Sequence, residues 1–175
     1  MTGLYIGAFI GKSWTSKIIQ RATRSKYSHV AFILADGRSI EAWGTDGVVA
    51  REDYAQGHRA GTVVELYHIA ASDAQKKRML DFARNQVGSK YDWRAILSFA
   101  TRSNQHTDGR WICSELIQAA SVYAKRPLQE RVDAWRVAPC WIVSSPRLSY
   151  AGQLVTGQTS GSVEAACWMR SPCMF

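Results

Sequence analysis

Between Tyr27 and Trp43 the chain alternates its side chains, turns and alternates again, a period that a helix cannot use. Tyr27 to Leu34 is rich in β-branched and aromatic residues, Asp36-Gly37 is a turn signal, and Arg38 to Trp43 is the returning strand. Alternation puts Val30, Phe32 and Leu34 on one face and His29, Ala31 and Ile33 on the other. The turn decides where Glu41 goes. A two-residue Asp36-Gly37 loop pairs Ala35 with Arg38 and sends Glu41 to the face opposite His29. A three-residue loop, Ala35-Asp36-Gly37 with Gly37 left-handed, pairs Leu34 with Arg38, His29 with Trp43 and Ala31 with Glu41. The second register also buries Ile40 and Ala42 with Val30, Phe32 and Leu34, and it is the one expected. It makes His29 and Glu41 diagonal neighbours on one face, ~7–8 Å apart at the backbone and within side-chain reach.

Other strands are expected at Leu4 to Phe9 and Thr62 to Ile69, and Gly44 to Gly47 is another loop, followed by Val48-Val49-Ala50. Trp14, Ile18, Ile19 and Ala22 recur at helical spacing behind a Ser13 or Thr15 cap. Ser72 caps a helix running to about Val87, with Gln75 completing a capping box and Gly88 as its stop. Tyr91 to Ala100 reads as a shorter helix, and Val137 to Val143 as a last strand or extended segment restricted by Pro139. Early strands followed by helices predict an α+β domain with a small antiparallel sheet packed against helices. The 175 residues suffice for one such core. The domain is expected over 1–154; beyond it Gly, Ser, Thr and Gln predict a linker-like segment and a weakly held tail over 155–175.

A net charge of +8 permits attraction to anionic partners. The cations are scattered and no compact basic block is interleaved with aromatics, so nucleic-acid binding is not expected. No apolar run approaches the ~20 residues of a transmembrane segment. Leu4 to Ile10 lacks a basic flank and a cleavage site, so the expected location is cytoplasmic, with release or packaging by another route left open. Cys113, Cys140, Cys167 and Cys173 form no C-x-x-C pair and have no metal-ligand spacing with histidines. No metal and no cofactor is implied, and oligomeric state is not readable.

Trp111 to Ala120 reads as a loop that ends at Cys113 and a helix that begins there, with Ile112, Leu116, Ala119, Ala120 and Tyr123 at helical spacing. A thiol in the first turn sits among unpaired N–H groups and the positive end of the helix dipole, which favour its anion. Taken alone, a buried structural cysteine is the simpler account. A base changes that. His29 is the candidate general base, and Glu41 the carboxylate that would hold its tautomer and stabilise its cation. His58 and His68 are weaker candidates, His106 is the main rival base, and Asp46 is the next acid should Glu41 fall on the wrong face.

These residues also carry a resemblance. Tyr27-Ser28-His29-Val30, then Ile40-Glu41-Ala42 with Gly47-Val48, then Val87-Gly88-Ser89-Lys90-Tyr91-Asp92-Trp93, then Ile112-Cys113-Ser114-Glu115-Leu116-Ile117 resemble a circularly permuted branch of the NlpC-type cysteine hydrolases. That branch includes YiiX-like proteins and relatives of lecithin:retinol acyltransferase, and its histidine precedes its cysteine. The resemblance covers roughly Leu4 to Pro146. It implies a papain-like α+β fold and a Cys113, His29, Glu41 triad. The implied reaction is cleavage of an amide or an acyl ester or thioester, on a peptide, such as a cell-wall peptide, or another acyl-containing substrate. Acyl transfer by the same triad, or a binding module of the same fold without turnover, stays open. An oxyanion donor carries over only as the backbone N–H of Cys113.

Overall fold

The computed structural model describes residues 3–95 and 109–157. Its centre is a six-stranded antiparallel sheet made of β1 (Leu4–Ile10), β2 (His29–Leu34), β3 (Ser39–Trp43), β4 (Gly47–Arg51), β5 (Val63–Ile69) and β8 (Leu148–Val155). Across the sheet these strands run in the order β4-β3-β2-β1-β5-β8. A separate parallel pair joins β6 (Lys90–Tyr91) to β7 (Arg110–Trp111). The helices are α1 (Trp14–Thr23), α2 (Asp73–Asn85), α3 (Cys113–Tyr123) and the short α4 (Pro139–Val143). The chain is thus α+β.

The β2–β3 hairpin adopts the three-residue turn. Gly37 has φ +90°, its N–H donates to Leu34 O at 3.0 Å, and Leu34 N–H donates to Arg38 O at 2.8 Å. Phe32 then pairs with Ile40 and Ile33 with Ser39. Val30, Phe32, Leu34, Ile40 and Ala42 join one core with Leu116, Ile117 and Ala120 of α3 and Met79, Leu80 and Ala83 of α2. Each fully buried Leu or Ile there contributes about 1.5–3 kcal/mol, so α3 is held to the sheet by its apolar face. The other face carries Phe9, Ala31, Ile33 and Leu66, covered in part by Tyr54 from the loop after β4. A second tight turn leads into β4 at Gly47, φ +76°; a Cβ there would lie 2.1 Å from Ser89 O. That close approach lets Val48 N–H bond Ser89 O at 2.8 Å and fixes the 88–91 segment beside the sheet.

Ser72 caps α2 with the capping box in place, Gln75 N–H meeting Ser72 Oγ at 3.2 Å and Ser72 N–H meeting Gln75 Oε1 at 3.0 Å, and the helix ends at Asn85, two residues before the expected Val87. Two expectations fail. Val137 to Val143 is not a strand: a 3₁₀ turn (Ala134–Arg136) leads into α4, where Pro139 takes a first-turn position whose N–H has no intrahelical partner anyway. β8 was not expected at all; among the described residues it is an edge strand paired only with β5, and its mixed polar sequence alternates weakly. It runs through Val155, and Thr156 N–H still bonds Thr62 O at 3.0 Å. Of the expected helix Tyr91 to Ala100, Tyr91 lies in β6 and a helical turn starts at Trp93; its remainder lies outside the described residues, as do His106, Cys167 and Cys173.

Candidate active site

Cys113 is the first residue of α3. Ile112 precedes it in extended conformation (φ −99°, ψ 163°), and Glu115 Oε2 accepts the Ile112 N–H at 3.4 Å, closing the helix start from within. The apolar face of α3 presses that end onto β2, so the thiol is almost wholly buried against the start of the strand that carries His29. The N–H groups of Val30 and Ser114 and the His29 imidazole lie close enough to the sulfur to favour its anion.

His29 and Glu41 meet as the hairpin register requires. His29 Nε2–H donates to Glu41 Oε2 at 2.6 Å, which leaves Nδ1 to exchange a proton with the thiol. The other oxygen of Glu41 accepts from Arg51 Nε at 2.6 Å, and Arg51 Nη2 reaches Asp46 Oδ2 at 3.0 Å. Asp46 therefore stands behind Arg51 and not beside the histidine.

The charges follow from these contacts. Burial opposes ionisation of Glu41, but the hydrogen bond from His29 and the nearness of His29 and His58 overcome it and hold the carboxyl well below the usual range. Burial also opposes protonation of His29; the adjoining Cys113 and Glu41 reverse this and push its pKa up to about 10. For Cys113, burial works against the thiolate while the His29 cation and the two N–H groups favour it, and the thiol ends below its ordinary value. All three shifts favour a thiolate at Cys113, an imidazolium at His29 and a carboxylate at Glu41.

His58, a weaker candidate on the sequence, stands beside these residues. Its ring stacks on Phe9 at 4.1 Å between centroids and meets Trp43 edge-on at 4.8 Å. Its Nε2 is buried without a hydrogen-bond partner among the described residues, 3.7 Å from Glu41 Oε2, and burial lowers its pKa. His29, Glu41 and His58 offer three donor atoms within 4.8 Å of one another, the composition of a metal centre. The spacing does not fit an ion. Two ligands on one tetrahedral zinc lie about 3.3 Å apart, whereas His29 and Glu41 are 2.6 Å apart and share a proton. Both carboxylate oxygens are already engaged, one of them by the Arg51 guanidinium, whose charge opposes a second cation.

A cavity of about 150 Å³ opens on His29 and His58. Trp43, Tyr91 and Trp93 form one wall, and Thr15, Ser16 and Ile19 of α1 another. The structure brings together all three residues expected at the site, Cys113, His29 and Glu41, and adds Arg51 and His58. Arg51 had a signal: continuing the alternation through the second hairpin pairs Glu41 with Val49 and Ser39 with Arg51, on the face of Glu41. His58 had none, since only tertiary folding brings its loop back over Phe9.

Fold and site together define an α+β protein with a buried cysteine at a helix start, facing a histidine–glutamate pair on an antiparallel sheet. Its fold is similar to that of metalloprotein yiiX from Escherichia coli O157:H7, DUF1105, at a TM-score of 0.65 and 18% identity, over 88% of this chain and 97% of that one. No protein-family model matches the chain. No curated protein matches it either. Among the described residues no helix is long and apolar enough to cross a membrane.

Proposed function

We propose that the protein is a thiol hydrolase of the circularly permuted, papain-like NlpC type, acting on an amide or an acyl ester or thioester. One observation carries this reading: a buried cysteine at a helix N-terminus beside a histidine that is itself bonded at 2.6 Å to a buried glutamate. The 18% likeness to yiiX supports the fold alone.

In the reaction, Cys113 Sγ attacks the carbonyl carbon and the π pair moves to oxygen. The oxyanion forms at the N-terminus of α3, where backbone N–H groups have no intrahelical acceptor. His29 gives its proton to the leaving nitrogen, oxygen or sulfur as that bond breaks, and an acyl-enzyme remains. His29, now neutral, takes a proton from water as it attacks the thioester, and returns it to Sγ as the acid departs. Glu41 holds Nδ1 toward the sulfur throughout and stabilises the imidazolium. Acyl transfer uses the same steps with an alcohol or amine in place of water; product analysis with added amines and alcohols separates the two.

The metal reading suggested by the name of yiiX has one point in its favour here, the unpartnered His58 Nε2. It requires the His29–Glu41 hydrogen bond to open.

The test is labelling with an alkylating probe followed by mass spectrometry of the modified peptide. Cys113 is expected to react well below pH ~8.5, the ordinary thiol pKa, and ahead of Cys140. Cys113→Ala is expected to abolish turnover with the fold retained. Full activity in that variant, or activity that a chelator removes and zinc restores, ends the thiol mechanism.

A further inference from the structure

Helix α1 differs from the other elements of the core: none of its residues is fully buried. Its outward side carries Trp14 and Ile18 one turn apart, 78% and 46% exposed. Lys17, Arg21 and Arg24 run beside them along the same side, none of them buried. Among the described residues none of these three cations has an acidic partner, and α1 contains no Asp or Glu. Lys26, just beyond the helix, is by contrast engaged by Glu65 at 2.5 Å. The stripe therefore joins two large apolar side chains in water to a set of uncompensated positive charges.

We propose that this side of α1 docks the protein on an anionic lipid bilayer. A tryptophan and an isoleucine flanked by lysine and arginine match the boundary between headgroups and acyl chains: the indole suits the interface, and the cations are drawn to acidic headgroups. Nucleic acid would meet the same charges, but Ile18 offers no stacking face for a base. An acidic protein would satisfy the charges without a reason for two isolated apolar groups. The inward side of the same helix supplies Thr15, Ser16 and Ile19 to the cavity wall. Docking through Trp14 and Ile18 therefore leaves α1 itself between the cavity and the lipid surface. The inference concerns a surface and stands apart from the chemistry assigned to Cys113.

The experiment is flotation of the full chain with phosphatidylcholine vesicles, with and without roughly 30 mol% phosphatidylserine, at low salt and at about 0.5 M salt. Binding is expected only with phosphatidylserine, and it weakens in high salt. Lys17→Glu with Arg21→Glu is expected to reduce partitioning on the order of 30-fold or more. Trp14→Ala with Ile18→Ala is expected to reduce it about tenfold. Circular dichroism checks the fold of both variants. Should either unfold, the wild-type chain decides: brominated lipids should quench a tryptophan signal that is missing in Trp14→Phe. Failure of the wild-type chain to bind phosphatidylserine vesicles overturns the proposal. So does unchanged binding when Trp14 and Ile18 are removed, which reduces the stripe to simple charge attraction, or tighter binding to an acidic polypeptide or oligonucleotide.

Discussion

Glu41 and Glu115 are both buried carboxylates in the elements that build the site, 0% and 2% exposed, yet their pKa values are shifted in opposite directions. Glu41 sits between His29 and Arg51, each at 2.6 Å, and stays ionised far into acid. Glu115, two residues after Cys113, meets burial first and the charge of Asp92 besides; the Ile112 N–H pulls the other way, and its pKa is pushed up to about 7. Equal burial with different neighbours yields a fixed anion in one place and a proton-holding carboxyl in the other. The anion serves the imidazolium. Glu115, which holds its proton to higher pH, closes the start of α3 while adding less negative charge near Cys113. Changing each carboxylate separately tests that contrast.

The largest effect is expected at Glu41→Leu. It leaves the Arg51 guanidinium and the His29 ring buried without their acceptor, and removing one partner of a buried ion pair costs about 3–5 kcal/mol. Denaturant unfolding at neutral pH measures it. A loss under about 1 kcal/mol would mean that water or Asp46 replaces the carboxylate readily, and the supposed fixed anion would be dispensable.

Glu41→Gln is milder. The amide keeps the shape and an acceptor but removes the charge. Turnover is expected to fall roughly ten- to a hundredfold with KM little changed, because the charge acts on the imidazolium and not on bound substrate. The pH profile adds a sign. His29 is held up to about 10 by the Cys113 thiolate and by Glu41. Without the glutamate's charge its pKa falls, so the alkaline limb of activity, or of Cys113 alkylation, moves to lower pH than the wild type's limb near 10. An unmoved alkaline limb would place the control of that limb elsewhere, for example at Tyr91, which burial and the Cys113 charge raise well above its ordinary value.

How much of this was legible beforehand depends on the range of the interaction that decides it. The facing of His29 and Glu41 was legible because one glycine turn and a two-residue period determine it, and Gly37 adopts the left-handed conformation that the turn needs. The start of α3 was legible because the polar run before Gly109 cannot extend a helix into Cys113. Arg51 was within reach of the same alternation, one residue beyond the apolar run Val48-Val49-Ala50. His58 and β8 depend on distant partners, Phe9 and β5, that no local pattern names. Val137 to Val143 looked extended because Val and Pro favour that state locally; packing of Val137 and Ile142 into the main core and Pro139 at a helix start outweigh the preference.

The smallest effect concerns Glu115 and is read in stability. Its folded pKa of about 7 lies above the unfolded carboxylate value near 4.5. A raised pKa means that the folded state holds the proton more tightly. The stability this gives is fully present below pH ~4.5 and is lost as pH rises through about 7. A glutamine in place of Glu115 would be neutral at every pH and could keep an oxygen toward the Ile112 N–H. Glu115→Gln is therefore expected to match the wild type near pH 4.5 and to exceed it at pH 8, by on the order of 1–2 kcal/mol. Paired denaturant curves across this range measure the difference. Glu41 contributes in the opposite sense, since its depressed pKa gives stability above pH ~4.5 that is lost only in stronger acid. The two carboxylates thus act on the pH profile in separate windows. Parallel wild-type and Glu115→Gln profiles from pH 4.5 to 8 would mean that Glu115 is ionised in the fold as Glu41 is, and the contrast between them would be gone.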